Sequence, residues 1–187
     1  MVNTAASITI NERTAEIFGP LFEGRDCSKC SACCTHMNVV SDDYSKPAGQ
    51  PCAHLCAAGC GIYQTRFPVC HKWYCLWRHI EALPDEARPD RLGAILTFSE
   101  PPEPSHLFRR AFVNAILFDK ACASAGPLFD EVLAMFAEGD LPAWVSDGPT
   151  SVLSYPHPDV AACAMGQPNA DVAVRVEAAR WTTGLRT

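Results

Sequence analysis

Nine of the chain's eleven cysteines fall between Cys27 and Cys75: Cys27, Cys30, Cys33, Cys34, Cys52, Cys56, Cys60, Cys70 and Cys75. Cysteines that serve only as small buried hydrophobes have no reason to cluster in this way. Clustered thiolates bind borderline and soft cations, so the chemistry on offer is metal ligation. The run Cys27-Ser28-Lys29-Cys30-Ser31-Ala32-Cys33-Cys34 holds two overlapping C-x-x-C units and then an adjacent pair. Two intervening residues form a turn that aims both sulfurs at one point, while backbone N–H groups of the turn donate to them. Ser28, Ser31 and Ala32 are small enough for close backbone approach. Side chains on adjacent residues diverge, so Cys33 and Cys34 are expected to serve different metals or a bridged one.

A second group follows as Pro51-Cys52-Ala53-His54-Leu55-Cys56, Gly59-Cys60-Gly61 and Cys70-His71-Lys72-Trp73-Tyr74-Cys75. Gly59 and Gly61 supply the permissive backbone that a tight ligand turn needs. His36, His54 and His71 each lie within two residues of a cysteine and could ligate through nitrogen or donate to a sulfur. A disulfide framework is the competing reading. The odd cysteine total and a start without the basic patch and apolar stretch of a secretory signal speak against it. The expectation is a cytoplasmic protein, in a compartment that keeps thiols reduced. A redox C-x-x-C of thioredoxin type comes alone after a strand, and a bacterial ferredoxin run would place Cys-Pro three residues on, where Cys34 follows at once.

Taken together, Cys27-x-x-Cys30-x-x-Cys33-Cys34, Pro51-Cys52-x-His54-Leu55, Cys60-x-Ile62-Tyr63-x-x-Arg66, Cys70 and Cys75 resemble the YkgJ-type CxxCxxCC family. That family is described as zinc- or iron-chelating and often as iron–sulfur-cluster-containing. The match covers roughly residues 27–80, and Leu83-Pro84-Asp85-Glu86-Ala87-Arg88-Pro89-Asp90-Arg91-Leu92-Gly93 is similar to some members. The resemblance implies eight metal ligands: Cys27, Cys30, Cys33, Cys34, Cys52, Cys60, Cys70 and Cys75. Cys56 falls where members carry another residue and is an extra or alternative ligand. The family's Arg-Pro is Arg66-Phe67-Pro68 here, with the proline shifted by one. A flagellin lysine methylase carries a similar cysteine motif, so protein or peptide modification has precedent, with a protein or peptide as partner.

Eight thiolates divide into two four-ligand sets, or serve one cluster with the remainder holding zinc. A Cys₄ set accommodates zinc or a [4Fe–4S] cluster. The C-x-x-C-x-x-C run with small intervening residues favours the cubane, because zinc ribbons use separated C-x-x-C pairs. Trp73, Tyr74 and Trp77 would shield such a centre from water. Tyr63 and Arg66 are the candidate cofactor-binding residues: Arg66 to hydrogen-bond cluster sulfide or hold an anionic substrate, Tyr63 to donate to a thiolate. The alternative is that the pair only fixes the loop through backbone hydrogen bonds.

These residues need elements to position them. Trp73, Trp77 and Ile80, with Leu76 and Leu83 alongside, predict a helix over 71–83 that ends before Pro84 and packs an aromatic stripe into the core. Downstream, residues 93–98 read as a strand and Pro101–Pro104 as a loop, while the apolar run 111–118 suits helix or strand, a buried strand being favoured. A helix should open at Gly126-Pro127 and run through Ala137, with Leu128, Phe129, Val132, Leu133 and Phe136 on its apolar face and Gly139 ending it. Short strands at 143–146 and 151–155 and a helix over 170–182 complete the reading. Cys122 and Cys163 are expected as buried small hydrophobes, and His79, His106 and His157 as ordinary residues. The expected class is α+β, an irregular cysteine-rich metal-binding lobe packed on a small sheet with helices. Its parts are an N-terminal segment (1–26), the cysteine-rich region (27–83) and an α+β region (84–187) in the same compact domain.

A net charge of −6 argues against nucleic acid, and no apolar run approaches the roughly 20 residues that cross a bilayer. The downstream half has no phosphate-binding glycine loop, no G-x-S-x-G and no usefully spaced carboxylate pair. Three functions stay open: an iron–sulfur or mixed-metal protein in redox or protein modification, a zinc-structured interaction module, and a metal carrier.

Overall fold

The structure, a computed structural model, describes residues 13–27, 29–100, 111–147 and 150–155. The expected Pro101–Pro104 loop, the helix over 170–182, His106, His157 and Cys163 lie outside the described residues. The chain is α+β and forms two compact units, Met1–Leu96 and Thr97–Thr187.

The first unit is made of very short pieces. A helix over 13–18 (α1) leads to α2 (Ala32–His36), the two-residue pair β1 (Val39–Val40) and β2 (Ser45–Lys46), and the pair β3 (Leu55–Cys56) and β4 (Gly59–Cys60). After a 3₁₀ turn at Tyr63–Thr65 come α3 (Pro68–Lys72), 3₁₀ turns at Leu76–Arg78 and Asp85–Ala87, α4 (Pro89–Leu92) and the start of β5 (Ala94–Ser99). Both hairpins are antiparallel, pairing Val39 with Lys46 and Leu55 with Cys60.

The predicted helix over 71–83 does not form. Helix α3 begins at Pro68, whose fixed φ suits a first helical position, and ends at Lys72 because Trp73 and then Cys75 take extended backbone. The aromatic stripe divides with it: Trp77 is buried in the core, whereas Trp73 is half-buried.

Buried apolar side chains are unevenly spread. Among the described residues from 13 to 74 Ala32 is the single one, and the remainder of the unit's core runs from Cys75 through Leu76, Trp77, Leu83, Ala87 and Leu92 to Leu96. The cysteine-bearing stretch therefore lacks an apolar core of its own.

The second unit follows ordinary sheet-and-helix rules. The four-stranded sheet has the order β5-β6-β7-β8, with β6 (Phe112–Leu117) parallel to β7 (Ala143–Asp147) and β7 antiparallel to β8 (Thr150–Tyr155). A parallel pair needs a crossover, and α5 (Lys120–Ala123) with α6 (Leu128–Glu138) supplies it. Asp119 caps α5 by accepting from the Cys122 N–H at 3.0 Å. The α6 residues Val132, Leu133 and Phe136 are buried, as are Val113 and Ala115 of β6 and Ala143 and Trp144 of β7. Leu128 and Phe129, expected on the same face, are half-buried. Burying one such side chain fully, as at Leu133, contributes about 2 kcal/mol. Helix α6 stops before Gly139 as expected, but the left-handed residue is Asp140, at φ 60°. Cys122, expected to be buried, is half-buried.

Candidate metal centre

Cys27 follows a segment clipped to a distant part of its unit. The Phe22 N–H donates to the Arg78 carbonyl at 2.7 Å. The Arg25 guanidinium donates to the carbonyls of Trp77 (2.6 Å), Ile80 (2.7 Å), Glu81 (3.3 Å) and Leu83. It also lies over the Phe22 and Trp77 rings, and Arg78 donates back to the Arg25 carbonyl. Arg25 is 8% exposed, so these contacts replace lost water. Their effect is to hold Cys27 beside the turn that carries Cys75.

From Cys27 the chain makes the expected tight turn, with the Cys30 N–H donating to the Cys27 carbonyl at 3.1 Å. Cys33 and Cys34 sit on α2, where successive residues are rotated by about 100°. The Cys52 N–H reaches back to the Cys34 carbonyl at 2.8 Å. Cys60 is carried by the β3–β4 hairpin, whose Gly59 has φ 105°, a conformation that side chains with a Cβ rarely take. A Cβ on Gly61 would stand 3.2 Å from the His54 carbonyl, so that glycine allows a close approach. Cys70 lies on α3, whose preceding residue Phe67 stacks on Tyr44 at 4.4 Å.

Backbone donors are already aimed at the sulfurs. Cys30 accepts from the N–H of Ala32 and of Asp90, Cys75 from Trp77 and Arg78, and Cys52 from His54 at 3.5 Å. In each case one donor lies two residues after the cysteine. That arrangement offsets thiolate charge at a metal site.

One cavity of about 400 Å³ gathers these residues. Its wall includes Cys27, Cys30, Cys33, Cys34, Cys52, Cys60, Cys70 and Cys75, all eight ligands that the family resemblance implies. Cys56 is outside it, exposed, with its thiol on the Gly59 carbonyl at 3.3 Å. None of His36, His54 and His71 belongs to the wall; the His54 ring lies against Phe67 instead. Trp73 and Tyr74 do line the cavity, whereas Trp77 packs under Arg25 and donates to the Pro84 carbonyl at 3.1 Å. Among the described residues no disulfide joins the cysteines. Nor does any group of three or more Cys, His, Asp or Glu among them close tightly enough to hold a metal ion as the structure stands.

Tyr63 and Arg66 both line the cavity. Arg66 lies over the Tyr63 ring at 4.3 Å and donates to the Tyr74 hydroxyl at 2.6 Å. Its Nε–H is buried without a partner. Such a donor in a thiol-lined cavity suits an anionic occupant. The sequence offered no signal for two further residues. Lys46, 6% exposed, is held by the carbonyls of Met37 (2.6 Å), Thr35 (3.3 Å) and Pro47 (3.4 Å) and faces Cys34, Cys52, Cys33 and Cys70. Tyr44 places its hydroxyl on Cys52, a bond that with burial pushes the phenol up to about 12.

Without a cation most of these thiols keep their protons. Burial pushes Cys75 up to about 12 and Cys30 up to about 11, and raises Cys27 and Cys70 as well. Cys33 is raised by its hydrogen bond to Cys34 and by burial. Cys34 moves the other way, to about 7, because Cys33 donates to it and Lys46 and Arg66 stand near. The pocket thus has one sulfur prepared as a thiolate and others that need a bound cation to lose their protons.

Comparison with family models, with curated proteins and with solved structures returns no match to this chain.

Proposed function

We propose that the cysteine-lined cavity is a metal centre, that its occupant is an iron–sulfur cluster of [4Fe–4S] type, and that the chain is a CxxCxxCC-family metalloprotein acting in redox or in protein or peptide modification. The observation that carries this reading is the sorting of the cysteines: eight surround one cavity and Cys56 is left outside. Two further facts support it. The stretch from 13 to 74 buries Ala32 as its single apolar side chain among the described residues, so something other than a hydrophobic core must hold it together. The space of about 400 Å³ also leaves room for a polynuclear body.

When bound, such a group supplies one-electron transfer or, with an open position, a Lewis acid. The chain's own residues would serve it in definable ways. The N–H groups of Ala32, Asp90, Trp77, Arg78 and His54 offset charge on the sulfurs. Arg66, steadied by Tyr74, and Lys46 add positive charge at the wall. Trp73 and Tyr74 limit the entry of water. A reducing compartment, the cytoplasm, belongs to the same proposal. Among the described residues no helix is long and apolar enough to cross a membrane.

A zinc-structured module is the second reading, favoured by the same turn donors, which serve zinc thiolates equally well. Anaerobic purification followed by iron, zinc and acid-labile sulfide analysis separates the two. Iron with matching sulfide in brown protein supports the cluster. Stoichiometric zinc without sulfide turns the assignment to the module, and protein that holds neither metal sinks both.

A further inference from the structure

We infer that the cavity is divided into two four-thiolate centres, Cys27/Cys30/Cys33/Cys75 and Cys34/Cys52/Cys60/Cys70, with the neighbours Cys33 and Cys34 delivering their sulfurs to different centres. The inference rests on the metal reading above and goes beyond it by assigning each sulfur.

The first set is assembled by the clip between residues 22–25 and 77–83. Phe22 on Arg78, Arg25 on Trp77 and Ile80, and Arg78 on Arg25 bring Cys27 to Cys75. Cys30 is one tight turn from Cys27 and takes a second donor from Asp90, at the start of α4. The second set is assembled by different contacts. Cys52 hydrogen-bonds to Cys34 through the backbone, and the Gly61 N–H ties the β3–β4 hairpin bearing Cys60 to His54 at 2.8 Å. Tyr44 bridges Cys52 to Phe67, the residue from which α3 and Cys70 begin.

The electrostatic neighbours divide the same way. After burial, the sulfurs acting on Cys70 are Cys34, Cys52 and Cys60. For Cys75 they are Cys27 and Cys30. Cys33 feels Cys27 and Cys75 besides the Cys34 thiol that it touches. Cys34 also acts on Cys27, but less than Arg78, Arg66 or Asp26 does. The Cys33–Cys34 contact is therefore the seam between the sets: the two sulfurs touch there, while Cys33 otherwise faces Cys27 and Cys75 and Cys34 stands beside Cys70. The cations are also unequally shared. Lys46 faces all of the second set except Cys60, and from the first set it faces Cys33.

The test needs no variant at first. Metal-loaded wild-type protein, prepared anaerobically, is titrated with a chelator while exposed thiols are alkylated, and the peptides are read by tandem mass spectrometry. The expected result is release in two groups of four, with an intermediate in which the Cys33-Cys34 peptide carries one label. A second measurement uses double variants checked for folding by circular dichroism. Cys30→Ser/Cys75→Ser and Cys52→Ser/Cys70→Ser should each keep about half of the metal, and Cys30→Ser/Cys70→Ser almost none. Simultaneous release of all eight sulfurs, or a Cys33-Cys34 peptide labelled only twice or never, overturns the division while leaving the metal reading intact. Wild-type protein that carries no metal overturns both.

Discussion

Between residues 29 and 93 the described strands have two residues and the α-helices four or five, whereas the second unit has strands of five or six residues and an eleven-residue helix. Elements that short cannot bury enough apolar surface to offset the entropy of ordering them. From 13 to 74 the described residues bury Ala32 and no other apolar side chain, while the second unit buries Val113, Val132, Leu133, Phe136 and Trp144 against a sheet. Two different physical strategies therefore share one chain. One region relies on polar clamps such as Arg25 and on sulfurs facing a common space; the other relies on packing.

That contrast is broken or sharpened most strongly by removing metal. Chelation under reducing conditions should loosen the cysteine-bearing stretch without unfolding it, and leave β6, β7 and α6 unchanged. Hydrogen exchange resolved by segment would show faster exchange at residues 27–75 than in the metal-loaded form and unchanged protection at 112–147. Equal loss in both regions would end the distinction. Next in size is Leu133→Ala, which opens a cavity in the second unit at a cost of roughly 2–5 kcal/mol. Denaturant unfolding should report that loss, and metal content of the folded protein should stay at its wild-type value.

A smaller effect comes from pH. In the metal-free reduced protein, Cys75 titrates at about 12 and Cys30 at about 11 instead of 9.0. The native state thus keeps protons that the unfolded chain releases above about pH 9. The stability these thiols contribute is complete below that point and is lost as pH rises through 11 and then 12. The urea midpoint of metal-free protein should fall as pH rises above about 9, and far less in metal-loaded protein, whose ligand sulfurs have already lost their protons. A flat profile for the metal-free form would mean that these thiols are not buried in solution. The smallest effect belongs to Cys56→Ser, which should change stability by less than about 0.5 kcal/mol and leave metal content untouched. Loss of metal in that variant would restore Cys56 as a ligand.

Much of the second unit was legible from local pattern. The strands at 94–99 and 112–117, the helix at 128–138 and the pair at 143–147 and 150–155 follow from apolar runs punctuated by Gly and Pro. In the first unit the same reasoning failed at 71–83, where Trp73, Trp77 and Ile80 have helical spacing but the backbone opens at Trp73 and Cys75. Helical spacing records which side chains want burial. It does not record a demand on the backbone to present Cys75 to a cavity.

The sequence by itself determined which atoms are available for chemistry, because cysteine type and the C-x-x-C spacing are local properties of the chain. It also determined the sheet-and-helix half, where periodicity and turn residues act within a few positions. Only the tertiary structure decided that Cys56 and the histidines stay off the cavity wall, that Lys46 and Tyr44 join it, and that Arg25 binds residues 77–83. Those outcomes depend on contacts between residues distant in sequence, such as Arg25 with Ile80 or Cys34 with Cys52, and no local spacing encodes them.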